Sequence, residues 1–197
     1  KTEYNELQDK QVLAKPKIVL VKVPGFHEYV SLTGNYSAVY KRGIVKNRAR
    51  NMLIIQQASK LIKKGYTVLI MVEMIEHGNE LIKFAEIEMP GVFTFLHGET
   101  KAEIREQEKM MFTDKKRKGV IATRIWSEGV NIKSIGAVIN AVGGESELAT
   151  IQRFGRGLRK DSGKKDVVLV DFIDADAHRW FQKHSMKRIC HYSKWGW

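Results

Sequence analysis

From Tyr66 to Val72 the chain runs apolar, bounded by Gly65 on one side and Glu73 on the other. A strand with one wet face alternates apolar and polar residues. A strand that stays apolar throughout is covered on both faces, as in a parallel sheet between two helical layers. This segment therefore restricts the fold more than any other, because it needs helices above and below it.

The rest of the sequence supplies those layers. Short Val- and Ile-rich segments at Lys17 to Val23, Val92 to Leu96, Gly119 to Ala122, Ile135 to Val142 and Val167 to Phe172 read as further strands. Between them, Ile44, Val45, Met52, Ile55, Ala58, Leu61 and Ile62 keep helical spacing from about Ile44 to Lys64, with Gly65 as the stop. Glu76 to Glu88 reads as a second helix. Thr100-Lys101-Ala102-Glu103 has the form of a capping box opening a third, to about Phe112. Asp174 to Trp197 reads as a terminal helix with Trp180, Phe181, Ile189 and Tyr192 available to pack. Phe26 to Lys41 carries Tyr29, Tyr36 and Tyr40 among turn residues and has no assignment.

Strand and helix thus alternate about five times, which predicts an α/β domain with a doubly wound, mainly parallel sheet. Residues 1–16 read as an interdomain linker or the tail of a preceding domain, and 17–197 as the domain itself. Ligands of such sheets bind beyond the carboxyl ends of the strands. Three segments fall there: His97-Gly98, Thr123 to Asn131, and Gly143 to Arg159.

At 197 residues the chain is large enough to bury a core without staples. No apolar stretch approaches the roughly 20 residues of a membrane span. The single cysteine, Cys190, excludes an internal disulfide and no Cys/His cluster has zinc spacing, so a reducing, cytosolic setting is expected, with Cys190 as a small buried hydrophobe. Lys and Arg number 34 against 22 Asp and Glu, a net charge of +12, which favours a polyanionic partner. The cluster Lys115, Lys116, Arg117, Lys118 reads as a solvated turn.

In Gln152-Arg153-Phe154-Gly155-Arg156-Gly157-Leu158-Arg159, helical geometry puts Gln152, Arg156 and Arg159 within an arc of about 60° and Ile151, Phe154 and Leu158 roughly opposite. Gly155 and Gly157 each cost such a helix about 1 kcal/mol relative to Ala, so something requires a thin backbone there. An always-charged planar fork stabilises the equatorial oxygens of a transferring phosphoryl group. The other reading is an amphipathic surface helix with solvated arginines. In Thr123 to Ile132, the Thr123 hydroxyl can meet a phosphate, Gly129 admits a ligand to the main chain, and Asn131 can bond a ribose hydroxyl or adenine edge. The alternative is an ordinary strand-to-helix turn.

Together, in this order and spacing, the two segments resemble the fifth and sixth motifs in the C-terminal RecA-like domain of superfamily 2 DEAD/DEAH-type helicases, in the XPB-like or UvsW-like branch. Leu96-His97-Gly98 is similar to the element that touches the nucleic-acid backbone in that family. Val68-Leu69-Ile70 with Glu73 to Gly78 resembles the fourth-motif region, and Asp171-Phe172-Ile173-Asp174, Lys183-His184-Ser185 and Arg188 to Tyr192 resemble the domain's end. The resemblance implies that Arg156 and Arg159 are arginine fingers for the γ-phosphate of ATP and that Gln152 supports them. It further implies that Gly129 and Asn131 line the ribose, and that Thr123, His97 and Gly98 grip phosphates of the translocated strand. Asn131 stands where many relatives carry Asp, and Glu145 where Lys is common.

The sequence contains no GxxxxGK(S/T) loop and no apolar strand ending in an acidic pair for magnesium. ATP and Mg2+ are therefore expected to be held by a partner P-loop domain. Alone, this chain is expected not to hydrolyse ATP. The implied role is the second motor domain of a DNA helicase or translocase, with RNA also open as the substrate and no membrane partner. The alternatives are a non-catalytic nucleic-acid-binding module on the same fold, or the translocase part of a restriction enzyme.

Overall fold

The computed structural model describes residues 16–24, 34–123, 135–144, 167–174 and 178–194. In chain order these form β1 (Pro16–Lys22), α1 (Tyr36–Tyr40), α2 (Arg48–Lys63), β2 (Val68–Met71), α3 (Ile75–Glu88) and β3 (Phe93–Leu96). There follow α4 (Ala102–Thr113), β4 (Gly119–Ala122), β5 (Ala137–Asn140), β6 (Val167–Ile173) and α5 (Arg179–Lys194). The strands build one six-stranded sheet in the order β1-β6-β5-β2-β4-β3, every neighbouring pair parallel.

The period-2 geometry of β2 explains its apolar run. Val68, Ile70 and Val72 enter the layer that holds Ile54, Ile55 and Ala58 of α2 and Leu81 and Ala85 of α3. Leu69 and Met71 enter the opposite layer with Phe112 of α4 and Tyr192 of α5. Burying each such side chain is worth about 1.5–3 kcal/mol, so this one strand anchors both layers. The α3 layer sits so close to the sheet that a Cβ on Gly78 would collide with the Phe95 ring. The α/β, doubly wound architecture is as the alternation predicts, and the sheet is wholly parallel among the described strands.

Four local expectations are corrected. The long helix begins at Arg48 and not near Ile44: Asn47 takes an extended conformation and its side-chain oxygen accepts from the Arg50 N–H at 3.1 Å. Lys41–Val45 instead form a separate, wider π-type turn continuing α1. At the other end Gly65 stops the helix in the expected way, with φ +88° and bonds from Gly65 N to Ile62 O and Tyr66 N to Leu61 O, the paired pattern of a Schellman cap. The capping box at Thr100 does not form its N-cap. Lys101 occupies that position without a side-chain bond, because the Thr100 hydroxyl accepts from the His97 N–H at 3.0 Å. The strand expected over Ile135 to Val142 is confined to Ala137–Asn140. Cys190 is exposed, not buried, since α5 turns Phe181, Ser185, Arg188 and Tyr192 toward the sheet.

Candidate functional site

All six strands point the same way, so their carboxyl ends share one edge of the sheet, and the residues just beyond them define it. At β3 and β4 the edge is open. The Thr123 N–H donates to Leu96 O at 3.1 Å, which extends the β3/β4 ladder by one bond and sets Thr123 beside the start of the His97-Gly98 turn. That turn closes on itself: His97 N–H donates to the Thr100 hydroxyl at 3.0 Å and Thr100 N–H returns to His97 O at 3.0 Å. Gly98 is exposed, and a Cβ placed there would meet nothing within 4 Å. The His97 ring lies 4.9 Å from the Phe95 ring, and its Nδ1 is buried without a hydrogen-bond partner; the Glu99 carboxylate is 4.0 Å away, at the limit of an ion pair. A half-buried imidazole, a hydroxyl and unobstructed backbone are groups that can meet a phosphodiester.

At β5 and β6 the edge is locked. Arg188 of α5 donates through Nε to Asp171 Oδ2 at 2.8 Å, through Nη1 to Gly144 O at 3.0 Å, and through Nη2 to Phe172 O at 2.8 Å. Asp171 Oδ2 also accepts from the Tyr192 hydroxyl at 2.7 Å, and Oδ1 from the Asn140 amide at 3.2 Å. Arg50 of α2 donates through Nε to Asp174 Oδ1 at 2.8 Å and through Nη1 to Ala141 O at 2.7 Å. Both guanidiniums are wholly buried. Burial acts to lower the Arg188 pKa, but the facing Asp171 carboxylate outweighs it and the net shift is upward. Burial, reinforced by Asp171, pushes the Tyr192 phenol up, and burial with the nearby Glu73 charge does the same to Tyr40. Both phenols therefore stay protonated. Gly143 completes the lock: its N–H meets the Tyr40 hydroxyl at 3.4 Å, its carbonyl accepts from His184 Nδ1 at 3.3 Å, and an added Cβ would stand 2.5 Å from Ile44.

Of the residues singled out in the sequence, His97, Gly98 and Thr123 are thus brought together on adjacent strand ends. Gly129, Asn131, Gln152, Arg156 and Arg159 lie outside the described residues. The buried ionic pairs Arg50–Asp174 and Arg188–Asp171 were not anticipated as pairs. The available signal was Asp171 inside Val-Val-Leu-Val-Asp-Phe-Ile, where a lone carboxylate in a buried strand requires a cation. Among the described residues no group of three or more His, Cys, Asp or Glu could hold a metal ion.

The model of the helicase conserved C-terminal domain matches residues 49–161, more than half of the 197-residue chain. Over 143 residues, 72% of this chain, the sequence is 27% identical to the ATP-dependent DNA helicase uvsW of Enterobacteria phage T4, of which it spans only 28%. The crystal structure of T4 UvsW superposes with a TM-score of 0.72 at 24% identity, covering 91% of this chain and 39% of that one. A variant of S. cerevisiae Dbp5 bound to RNA and ADP BeF3 superposes with a TM-score of 0.63 at 14% identity, covering 99% and 42%. The structural likenesses establish the RecA-like fold, and the family match establishes the lineage. This chain belongs to the helicase conserved C-terminal domain family and is the C-terminal RecA-like domain of a superfamily 2 helicase.

Proposed function

We propose that the chain is the second motor domain of an ATP-dependent DNA helicase or translocase. In this reading it lends arginine fingers and a backbone grip to a P-loop domain elsewhere in the protein. The observation that carries the reading is the open pair of turns at His97-Gly98 and Thr123. They sit side by side on the sheet edge where ligands of such folds bind. DNA is favoured over RNA by the name of the relative, a DNA helicase.

Arg156 and Arg159 reach the γ-phosphate of ATP held across the interdomain cleft, and Gln152 supports them. Gly129 and Asn131 contact the ribose. Magnesium, held by the P-loop domain's acidic residues, screens the phosphate charge; this chain's part is to bring guanidiniums to the oxygens that gain charge in the transition state. Closure on ATP inserts the fingers, and reopening after hydrolysis releases them. The grip at Thr123, His97 and Gly98 advances the strand with each closure.

The test is Arg156→Ala in the full-length protein. ATP turnover should fall by about 10³-fold or more, as arginine-finger removal does, while single-stranded DNA binding stays close to wild type. Undiminished turnover would remove the finger assignment.

A further inference from the structure

The last helix carries a second feature that the strand-end grip does not use. In α5, Arg179, Lys183, Lys187, His191 and Lys194 fall at i, i+4, i+8, i+12 and i+15, within an arc of about 120°. All five are exposed, while Phe181, Ser185, Arg188 and Tyr192 face the sheet. The helix contains no Asp or Glu at all. The 16-residue α2 shares that lack, whereas α3 and α4 carry acidic partners for their lysines. In α3, Lys83 pairs with Glu80 at 2.9 Å, and in α4, Lys109 pairs with Glu106 at 3.5 Å. Among the described residues no carboxylate lies within ion-pair distance of Arg179, Lys183 or Lys194.

Such a stripe works against the helix that bears it. Like charges four residues apart repel, and Arg179 and Lys183 occupy the first turns, next to the positive end of the helix dipole, where acidic residues are favoured. A polyanion lying along the face reverses both penalties. The stripe is about 22 Å long, with fixed cations about 6 Å apart from Arg179 to Lys187 and Lys194 about 10 Å beyond; the 6 Å step is close to the rise of two phosphates along one strand of nucleic acid.

Its head also points to that occupant. The Arg179 guanidinium lies 5.9 Å from the centre of the Trp180 ring, and Trp180 stands 5.5 Å from Tyr36, which is 41% exposed. The Tyr36 hydroxyl would be 3.9 Å from a Cβ on Gly144, at the end of β5. The stripe therefore starts at the carboxyl edge of the sheet, and its β5 end is two strand spacings, or about 10 Å, from β4. Aromatic rings beside cations, here the exposed Tyr36 and the partly buried Trp180, are the elements of sequence-tolerant single-strand binding.

We infer that the exposed face of α5, from Trp180 and Arg179 to Lys194, is a track for the phosphodiester backbone of nucleic acid that leaves or approaches the strand-end turns. The inference rests on the nucleic-acid half of the proposed function and is independent of its ATP half.

The test uses the full-length protein with Arg179→Gln, Lys183→Gln and Lys194→Gln together, bound to an oligothymidylate single strand and to a duplex of equal length over a range of salt. A control triple, Lys60→Gln, Lys63→Gln and Lys64→Gln, removes the same charge from the exposed end of α2. On the single strand, the α5 triple should flatten the log-affinity against log-salt line by about 2, at about 0.7 per lost phosphate contact. The control should leave the slope at its wild-type value. A flattened line with the duplex alone would assign the track to duplex and not to a single strand, while still supporting backbone binding. A wild-type slope in the α5 triple, or equal flattening in both triples, overturns the inference. So does a fall in ATP turnover with unchanged nucleic-acid affinity, which would make the face a contact for an acidic protein surface. If the wild-type protein binds neither probe, the proposed function fails before the inference is reached.

Discussion

The two ends of the sheet's carboxyl edge are built on opposite lines. Beyond β3 and β4, the His97–Thr100 turn is held by two hydrogen bonds and leaves Gly98 in open space. Beyond β5, residues 141–144 are held by two buried guanidiniums, a phenol and an imidazole, with no room for one methyl group at Gly143. On the function proposed above, the difference is one of task. A surface that meets a passing backbone needs free polar groups and little bulk. A segment that leads the chain toward the region bearing Arg156 and Arg159 gains from being fixed, since a charge-stabilising group works only when its position is set beforehand. The lock uses ionic pairs where apolar packing would often be as stable, and we attribute that choice to the direction that hydrogen bonds impose on the carbonyls of 141, 143 and 144.

The comparison breaks most readily at Arg188. Arg188→Ala leaves Asp171 charged and buried, and should destabilise the domain by about 3–5 kcal/mol in denaturant unfolding. A loss below about 1 kcal/mol would show that the network does not lock the edge. At Gly143, Gly143→Ala forces a methyl against Ile44 and should cost about 1–3 kcal/mol, whereas Gly98→Ala should stay within about 0.5 kcal/mol of wild type. Equal costs at the two glycines would erase the distinction between the ends.

Between them, at the start of α3 just past β2, His77 belongs to the closed side. Its Nε2 lies 3.0 Å from Asn51 Oδ1, its Nδ1 is buried without a partner, and burial, helped by the Arg50 charge, lowers its pKa to about 3. The folded protein therefore keeps this imidazole neutral while the unfolded chain takes up a proton below its ordinary value near 6.5. Stability should fall as pH drops from 6.5 toward 3, by up to about 1.4 kcal/mol per pH unit. Between pH 6.5 and 5, above the range of ordinary carboxylates, His77→Gln should remove that slope; an unchanged slope would mean that the site admits water. The smallest effect belongs to the open end. Thr100→Val removes the bond to His97 N–H and should cost about 1 kcal/mol or less, yet weaken single-stranded DNA binding more than Gly98→Ala does if the turn's shape is what the strand meets.

The sheet was legible because its strands are short apolar runs whose type depends on local sequence alone, and all six lie where those runs are. Helix starts were less legible, because they depend on which of several polar side chains reaches a free N–H first. Asn47 does so at α2, whereas the Thr100 hydroxyl is taken by His97 before α4 begins. The open turns could be read from position, since any residue just past a parallel strand reaches the edge. The lock could not. Arg50 and Asp174 are 124 residues apart in sequence, and nothing near either one names its partner.

The claim on which the rest depends is that this domain supplies only one side of a nucleotide site. The direct test is ATP hydrolysis by the 197-residue chain alone, with saturating single-stranded DNA and magnesium. The account predicts no turnover above background, and activity only when the P-loop domain is joined to it. DNA-stimulated hydrolysis by the chain alone would contradict it.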